Sequence, residues 1–243
     1  SYTVQVNEFP SWEKFEQWKA NVETLAIDYQ HLFDLYGFTI GEQEFGLYIR
    51  MHHIISDATS IGIVICRFND LYHAALGERE FELVCGDFMA ALEEHEAYRN
   101  SEKYQKDRDY WFDEFQGVNE PSKITEKRAT KHDVSRISIR MNEHELQVLN
   151  RFTSTTKDSL FHAYMAAFAV YLSRMNRMEE VNIATTIHNR FGKNLKSTVG
   201  MFADTILYRI SVNPDDRYAD MIAEVKQKIF ASLKHSRFNY TET

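Results

Sequence analysis

The sequence predicts a mixed α/β protein of two successive lobes. Segments with strand alternation and segments with helical spacing interleave along all 243 residues. A polar stretch, 117–131, contains Pro121 and four basic residues, lacks apolar periodicity and reads as a linker. With 44% apolar and 14% aromatic residues, and only 3 Pro and 9 Gly, the chain can fill a core and is not low-complexity. The expected boundaries are residues 1–120, a linker at 121–132, and 133–243.

The chain opens in strand-like sequence, Tyr2-Thr-Val-Gln-Val6. Ser11 to about Ala26 reads as a helix, because Trp12, Phe15, Trp18 and Val22 lie near helical spacing. Gly37–Ile40 and Phe45–Met51 read as a hairpin joined by Gly41-Glu-Gln-Glu44. The next helix has one apolar stripe of Ile61, Val64, Ile65, Phe68, Leu71, Tyr72 and Ala75. Thr59 or Ser60 is its expected N-cap and Gly77 its stop. One long polar helix is expected from about Asp87 to Phe115.

Beyond the linker, Val134–Met141 reads as a strand and Asn142-Glu-His-Glu145 as a capping-box start of a helix through Phe152. Ser159 can cap another helix, with Leu160, Ala163, Tyr164, Ala167, Phe168, Tyr171 and Leu172 on its buried side. Val181–Thr186 reads as a buried strand, followed by a loop at His188-Asn-Arg190. A further strand alternates through Ile206, Tyr208, Ile210 and Val212, and a last amphipathic helix runs from about Tyr218 to Leu233.

The net charge of −8 disfavours non-specific nucleic-acid binding. No run has the length of an apolar membrane helix, and no secretory signal opens the chain. Cys66 and Cys85 sit in apolar contexts without a motif and are expected to be buried reduced thiols of a cytoplasmic protein. A chain that starts at Ser1 within strand-like sequence and stops at Thr243 is expected to be a piece of something longer.

Chemistry concentrates in Arg50-Met-His-His-Ile-Ile-Ser-Asp57. The apolar row Phe45, Leu47, Ile49, Met51 continues in step to His53, while His52 falls on the opposite face. An imidazole titrates near neutral pH and can accept a proton from a nucleophile. Opposite facing and the lack of a second ligand cluster argue against a metal on His52 and His53.

His52-His-Ile-Ile-Ser-Asp-Ala58 resembles the His-His-x-x-x-Asp-Gly motif of nonribosomal peptide synthetase condensation domains. Three further segments resemble that family in the expected order: Tyr110-Trp-Phe112, Ile183 through Arg190, and Gly200-Met-Phe-Ala-Asp-Thr-Ile-Leu-Tyr-Arg209. The resemblance spans nearly the whole chain. It implies two chloramphenicol acetyltransferase-like lobes in a V, each a mixed sheet flanked by helices, of which this chain is a partial copy missing strands at both ends.

The resemblance also implies amide formation between a donor acyl thioester and the amine of an acceptor aminoacyl thioester. Both substrates arrive on phosphopantetheine arms of carrier proteins, beside a neighbouring adenylation domain. The domain itself is expected to bind no cofactor, metal, nucleic acid or membrane. His53 is the expected catalytic imidazole. Asp57 is expected to pair with Arg190 and fix the loop. His52, within the same motif, is expected to support the scaffold, with direct chemistry the alternative. Two departures stand out: Ala58 replaces the usual glycine, and Asp204 replaces the usual asparagine, so a carboxylate enters the supporting set. A coenzyme A-dependent or ester-forming acyltransferase and a non-catalytic docking fragment are the other readings.

Overall fold

The computed structural model describes residues 4–24, 32–82, 84–118, 122–125, 136–156 and 158–242. It divides into two compact units, Ser1–Glu94 with Arg190–Ala203, and His95–Asn189 with Asp204–Thr243. This partition is not the consecutive one expected at 1–120 and 133–243. Arg190–Ala203 belongs with the first unit because Arg190 is bonded to Asp57 at 2.8 Å. Within the expected linker, Ser122 Oγ accepts from the Asn182 amide at 2.9 Å, and Lys123 exchanges two hydrogen bonds with Asn176. That described part is therefore attached to the second unit; residues 119–121 and 126–135 lie outside the described residues.

In the first unit, β1 (Gln5–Phe9) leads through α1 (Trp12–Thr24) to β2 (Phe33–Ile40) and β3 (Glu44–Met51). The sheet order is β1-β2-β3, with β1 parallel to β2 and β2 antiparallel to β3. The start of the expected first strand and the end of the expected first helix fall outside the described residues. Register sorts the side chains. Tyr36 faces Tyr48 across the hairpin, and Leu35 faces Ile49. Cross-strand partners share a face, so Tyr36, Phe38 and Tyr48 line one side and Leu35, Ile49 and Met51 the other. The aromatic side packs on α1, where Phe15 and Phe38 rings lie 4.3 Å apart and Trp18 meets Tyr48 at 5.5 Å. Arg50 secures it by bonding Asp34 and the Val22 carbonyl, both at 2.5 Å.

The next helix, α2 (Ala58–Ala75), is capped by Asp57, not by Thr59 or Ser60 as expected: the Asp57 carboxylate accepts from the Ser60 amide. Gly77 has a left-handed φ of 74° just past its end. The expected buried stripe on α2 is only partly buried. Ile61, Ile65, Phe68 and Leu71 are exposed, whereas Val64 and Tyr72 are half-buried. The expected single helix over 87–115 is two, α3 (Phe88–Arg99) and α4 (Glu102–Phe115). Ser101 breaks it by turning its side chain to accept from the Tyr104 amide, which starts a new helix. Both cysteines are exposed, contrary to expectation.

The second unit is built on α5 (Glu143–Thr156), α6 (Leu160–Asn176), β4 (Glu180–Ile187), β5 (Asp204–Ser211) and α8 (Tyr218–Lys234). Between β4 and β5 the chain forms the short α7 (Gly192–Ser197), which has no expected counterpart. β4 and β5 pair antiparallel, and Val181, Ile183, Ile206, Tyr208 and Ile210 enter a core shared with α6, α8 and Trp111. The expected strand at 134–141 is absent over its described residues 136–141. No neighbouring strand bonds to it there, and Ile137 and Ile139 are 87% and 90% exposed. The caps of α5 and α6 form as expected: Asn142 and Glu145 exchange bonds at 2.8 and 2.9 Å, and Ser159 pairs reciprocally with His162. The buried face of α6 is rotated from the expected one. Ala163, Ala166, Ala169 and Leu172 are buried, whereas Tyr164, Phe168 and Tyr171 are exposed. Small residues permit the close approach to the sheet that the aromatic side chains would block.

Candidate functional site

β3 ends at Met51, so strand alternation does not extend to the two histidines. The expected opposite facing of His52 and His53 therefore rests on a strand that has already stopped. A turn replaces it. The Ile55 amide donates to the His52 carbonyl at 3.1 Å, closing a four-residue β-turn with His53 at its first corner. The His52 ring reinforces this turn by accepting at Nδ1 from the Ile54 amide at 3.0 Å. Asparagine and aspartate side chains brace turns with the same two-residue reach. Acceptance at Nδ1 places the proton of a neutral His52 ring on Nε2. Ser56 Oγ donates to the His52 carbonyl at 3.2 Å, and the His52 amide donates to Leu32 at 2.8 Å. His52 is thus held on four sides, while His53 projects from the corner and is exposed.

Behind the turn lies a buried polar lock. Asp57 Oδ1 accepts from the Ser60 amide at 2.7 Å and from Arg190 Nη2 at 2.8 Å. Its Oδ2 accepts from the amides of Phe202 and Ala203, each at 3.1 Å. The Arg190 guanidinium also donates to the carbonyls of Leu195 and Thr198, each at 2.5 Å, to Gly200 at 3.2 Å, and to Ser60 Oγ at 2.9 Å. The Asp57 and Arg190 side chains are 2% and 1% exposed. Burial alone pushes the Asp57 carboxyl up. The Ser60 amide, the Arg190 guanidinium and the Phe202 amide outweigh it and hold the group at about 2. Asp57 is therefore an ionised tie between the end of the histidine turn and the segment 190–203, and it is not placed to exchange protons near neutral pH.

Of the residues singled out in the sequence, the first unit brings together His52, His53, Asp57 and Arg190. Asp204 belongs to the second unit, where it opens β5 and accepts from the Thr205 amide at 2.7 Å. Ala58 takes the first helical position of α2, and its φ is not positive, so the loop does not need the glycine there. The sequence marks Ser60 only as a possible cap. Fully buried, its hydroxyl donates to the Gly200 carbonyl at 2.7 Å and accepts from the Gly200 amide at 3.0 Å. The amides of Phe202 and Ala203 carry no sequence signal at all, since every residue but proline supplies one.

The chain was compared with known proteins. The family model of the condensation domain matches residues 4–242. The dimodular nonribosomal peptide synthase of Bacillus subtilis (strain 168) is 25% identical over 99% of this chain, which spans 10% of that protein. Tyrocidine synthase 2 of Brevibacillus parabrevis is 29% identical over 84% of this chain and 6% of its own length. Among solved structures, the first condensation domain of the calcium-dependent antibiotic synthetase, in complex with a substrate analogue, has a TM-score of 0.81 at 24% identity. That match covers 98% of this chain and 55% of the other. The chain therefore spans a tenth or less of these curated relatives and about half of the solved domain.

Proposed function

The chain belongs to the condensation domain family, and we propose that it joins a donor acyl group to the amine of an acceptor aminoacyl group, with both substrates held as thioesters on carrier proteins. The observation that carries this reading is His53, an exposed imidazole at the corner of a turn locked from both ends. The neutral acceptor amine attacks the donor thioester carbonyl carbon. As the C–N bond forms, the amine must lose a proton. His53 accepts it and returns it to the departing sulfur as the C–S bond breaks, so the products are an amide and a free thiol. A positioned base contributes about 10²- to 10⁴-fold. The rest is supplied by holding two tethered reactants together, which can be worth about 7–11 kcal/mol.

On this reading His52 and the Asp57–Arg190 pair are positioning residues, and Asp204 is a supporting residue whose carboxylate alters local charge. The proposed partners are donor and acceptor peptidyl carrier proteins and an adenylation domain, in the cytoplasm; the substrates ride on phosphopantetheine arms, and the domain needs no cofactor of its own. No helix among the described residues is long and apolar enough to cross a membrane. The test loads two carrier proteins and follows the new amide by intact-protein mass spectrometry, using the full natural polypeptide that contains this chain. His53→Ala is expected to lower the rate at least ~100-fold. Product from coenzyme A thioesters but none from carriers, or full activity of His53→Ala, would overturn the reading.

A further inference from the structure

The His53 turn forms part of the wall of an apolar cavity of about 510 Å³. Leu35 and Ile49 line it from the sheet face opposite α1, Ile54 and Ile55 from the turn, Val64 from α2, and Met201 from the segment that holds Asp57. All ten lining side chains are apolar. Several are left open to water, with Ile54 54% exposed and Met201 42% exposed. The volume falls in the range of small-molecule sites, which is about 300–1,000 Å³. Such sites usually include a few polar groups that fix orientation, and here no side chain supplies one.

The wall is covalently continuous with the proposed catalytic residue. Ile54 directly follows His53, and consecutive Cα atoms lie about 3.8 Å apart. We propose that this cavity receives the apolar part of a thioester substrate, a hydrocarbon acyl chain or an aliphatic or aromatic side chain, and rejects polar and charged ones. The proposal rests on the condensation reading and names its substrate class. Selection follows from the lining. A hydroxyl or carboxylate entering the cavity gives up its water and meets no side-chain partner, whereas each methylene gains by leaving water.

The occupant is argued from the continuity with the histidine turn and from a lining that offers no polar side chain. A competing occupant is another segment of a longer polypeptide, since the chain spans only 55% of the solved condensation domain. The test separates them on the full natural polypeptide carrying His53→Ala, which binds without turnover. Acetyl-, butyryl-, hexanoyl- and octanoyl-pantetheine are titrated calorimetrically. The dissociation constant is expected to fall by up to about fourfold per methylene until the cavity is filled, and an ω-carboxylate of equal length to bind at least ~tenfold more weakly. Val199→Phe and Val64→Phe, which add volume to the wall, are expected to shift the best length to a shorter chain, with circular dichroism confirming the fold. The unmodified wall suffices for the length series should either variant fail to fold.

A flat length series, equal binding of the ω-carboxylate, or no detectable binding because protein already fills the cavity would each overturn the proposal. Varying the chain on the donor thioester alone, then on the acceptor alone, in the amide-forming assay identifies which substrate occupies it. Amide formation indifferent to chain length refutes the cavity and leaves the condensation reading standing. Length-dependent binding with no amide from carriers refutes the condensation reading and leaves an apolar ligand site.

Discussion

Substitution of Asp57 tests whether the motif aspartate acts as a structural tie. Asp57→Ala removes four hydrogen bonds: those from the Ser60, Phe202 and Ala203 amides and that from Arg190. Hydrogen bonds to charged groups contribute about 1.5–3 kcal/mol each, so simple addition gives roughly 6–12 kcal/mol. That sum is too large. Arg190 keeps three carbonyl acceptors and the Ser60 hydroxyl, and the carboxylate itself no longer bears its desolvation cost. Breaking one side of a buried pair typically costs about 3–5 kcal/mol, of which loss of the α2 cap is about 1. We expect urea unfolding at pH 7 to show a loss of about 3–5 kcal/mol for Asp57→Ala and for Arg190→Ala. The double variant should fall short of the sum by at least ~1 kcal/mol, because each single change already forfeits the shared bond. Asp57→Asn, which keeps an acceptor for the Ser60 amide, should lie between wild type and Asp57→Ala. A single variant losing less than ~1 kcal/mol, or strict additivity, would refute the structural role. So would an Asp57→Ala protein of native stability that is nonetheless inactive, since that result would make the carboxylate a participant in the chemistry.

Acid titration follows from the same group. The folded carboxyl lies at about 2 against an ordinary value of 3.8. Its contribution is therefore complete above about pH 4 and is lost as pH falls through about 2; the shift corresponds to about 2 kcal/mol in a pH-dependent unfolding series. Asp57→Asn should remove that part of the slope. Ser60→Ala takes the hydroxyl from the Gly200 amide, while the Gly200 carbonyl keeps Arg190, and should cost about 1–3 kcal/mol by denaturant unfolding, whereas a neutral result would mean that water replaces the hydroxyl. His52→Asn retains a side-chain acceptor two residues before Ile54 and should keep amide-forming activity within about threefold. His52→Ala removes it and should lose roughly tenfold or more by looser placement of His53; equal loss in both variants would indicate direct chemistry at His52. Gly86→Ala puts a Cβ into the Thr198 hydroxyl and the Asn194 carbonyl, and should lower the melting temperature at a cost of about 1–3 kcal/mol.

The helices over residues 143–156, 160–176 and 218–234 and the strand over 204–211 are legible because their signals are local. Asn142 and Ser159 cap by reaching three residues along the chain, and Ile206, Tyr208 and Ile210 alternate into one core. The break at Ser101 is not legible, because one serine in a long polar run competes weakly with helix propensity until its side chain turns back. The buried face of α6 is ambiguous because the sequence offers two apolar faces, one aromatic and one rich in alanine. Only packing against β4 and β5 decides between them.

The site divides along the same line. By itself the sequence determined that two histidines and an aspartate follow a strand within a few residues, and that Arg190 is the aspartate's partner by family resemblance. The tertiary structure decided how each is used. It stopped the strand at Met51 and placed His53 at a turn corner, where alternation has no authority. It also brought Gly200, Phe202 and Ala203 to Ser60 and Asp57 across some 140 residues of chain. Backbone amides and carbonyls recur at almost every position, so no sequence pattern marks the few that fold against a buried charge. Their selection is a property of the closed chain, set by which segments can meet once apolar surface is buried.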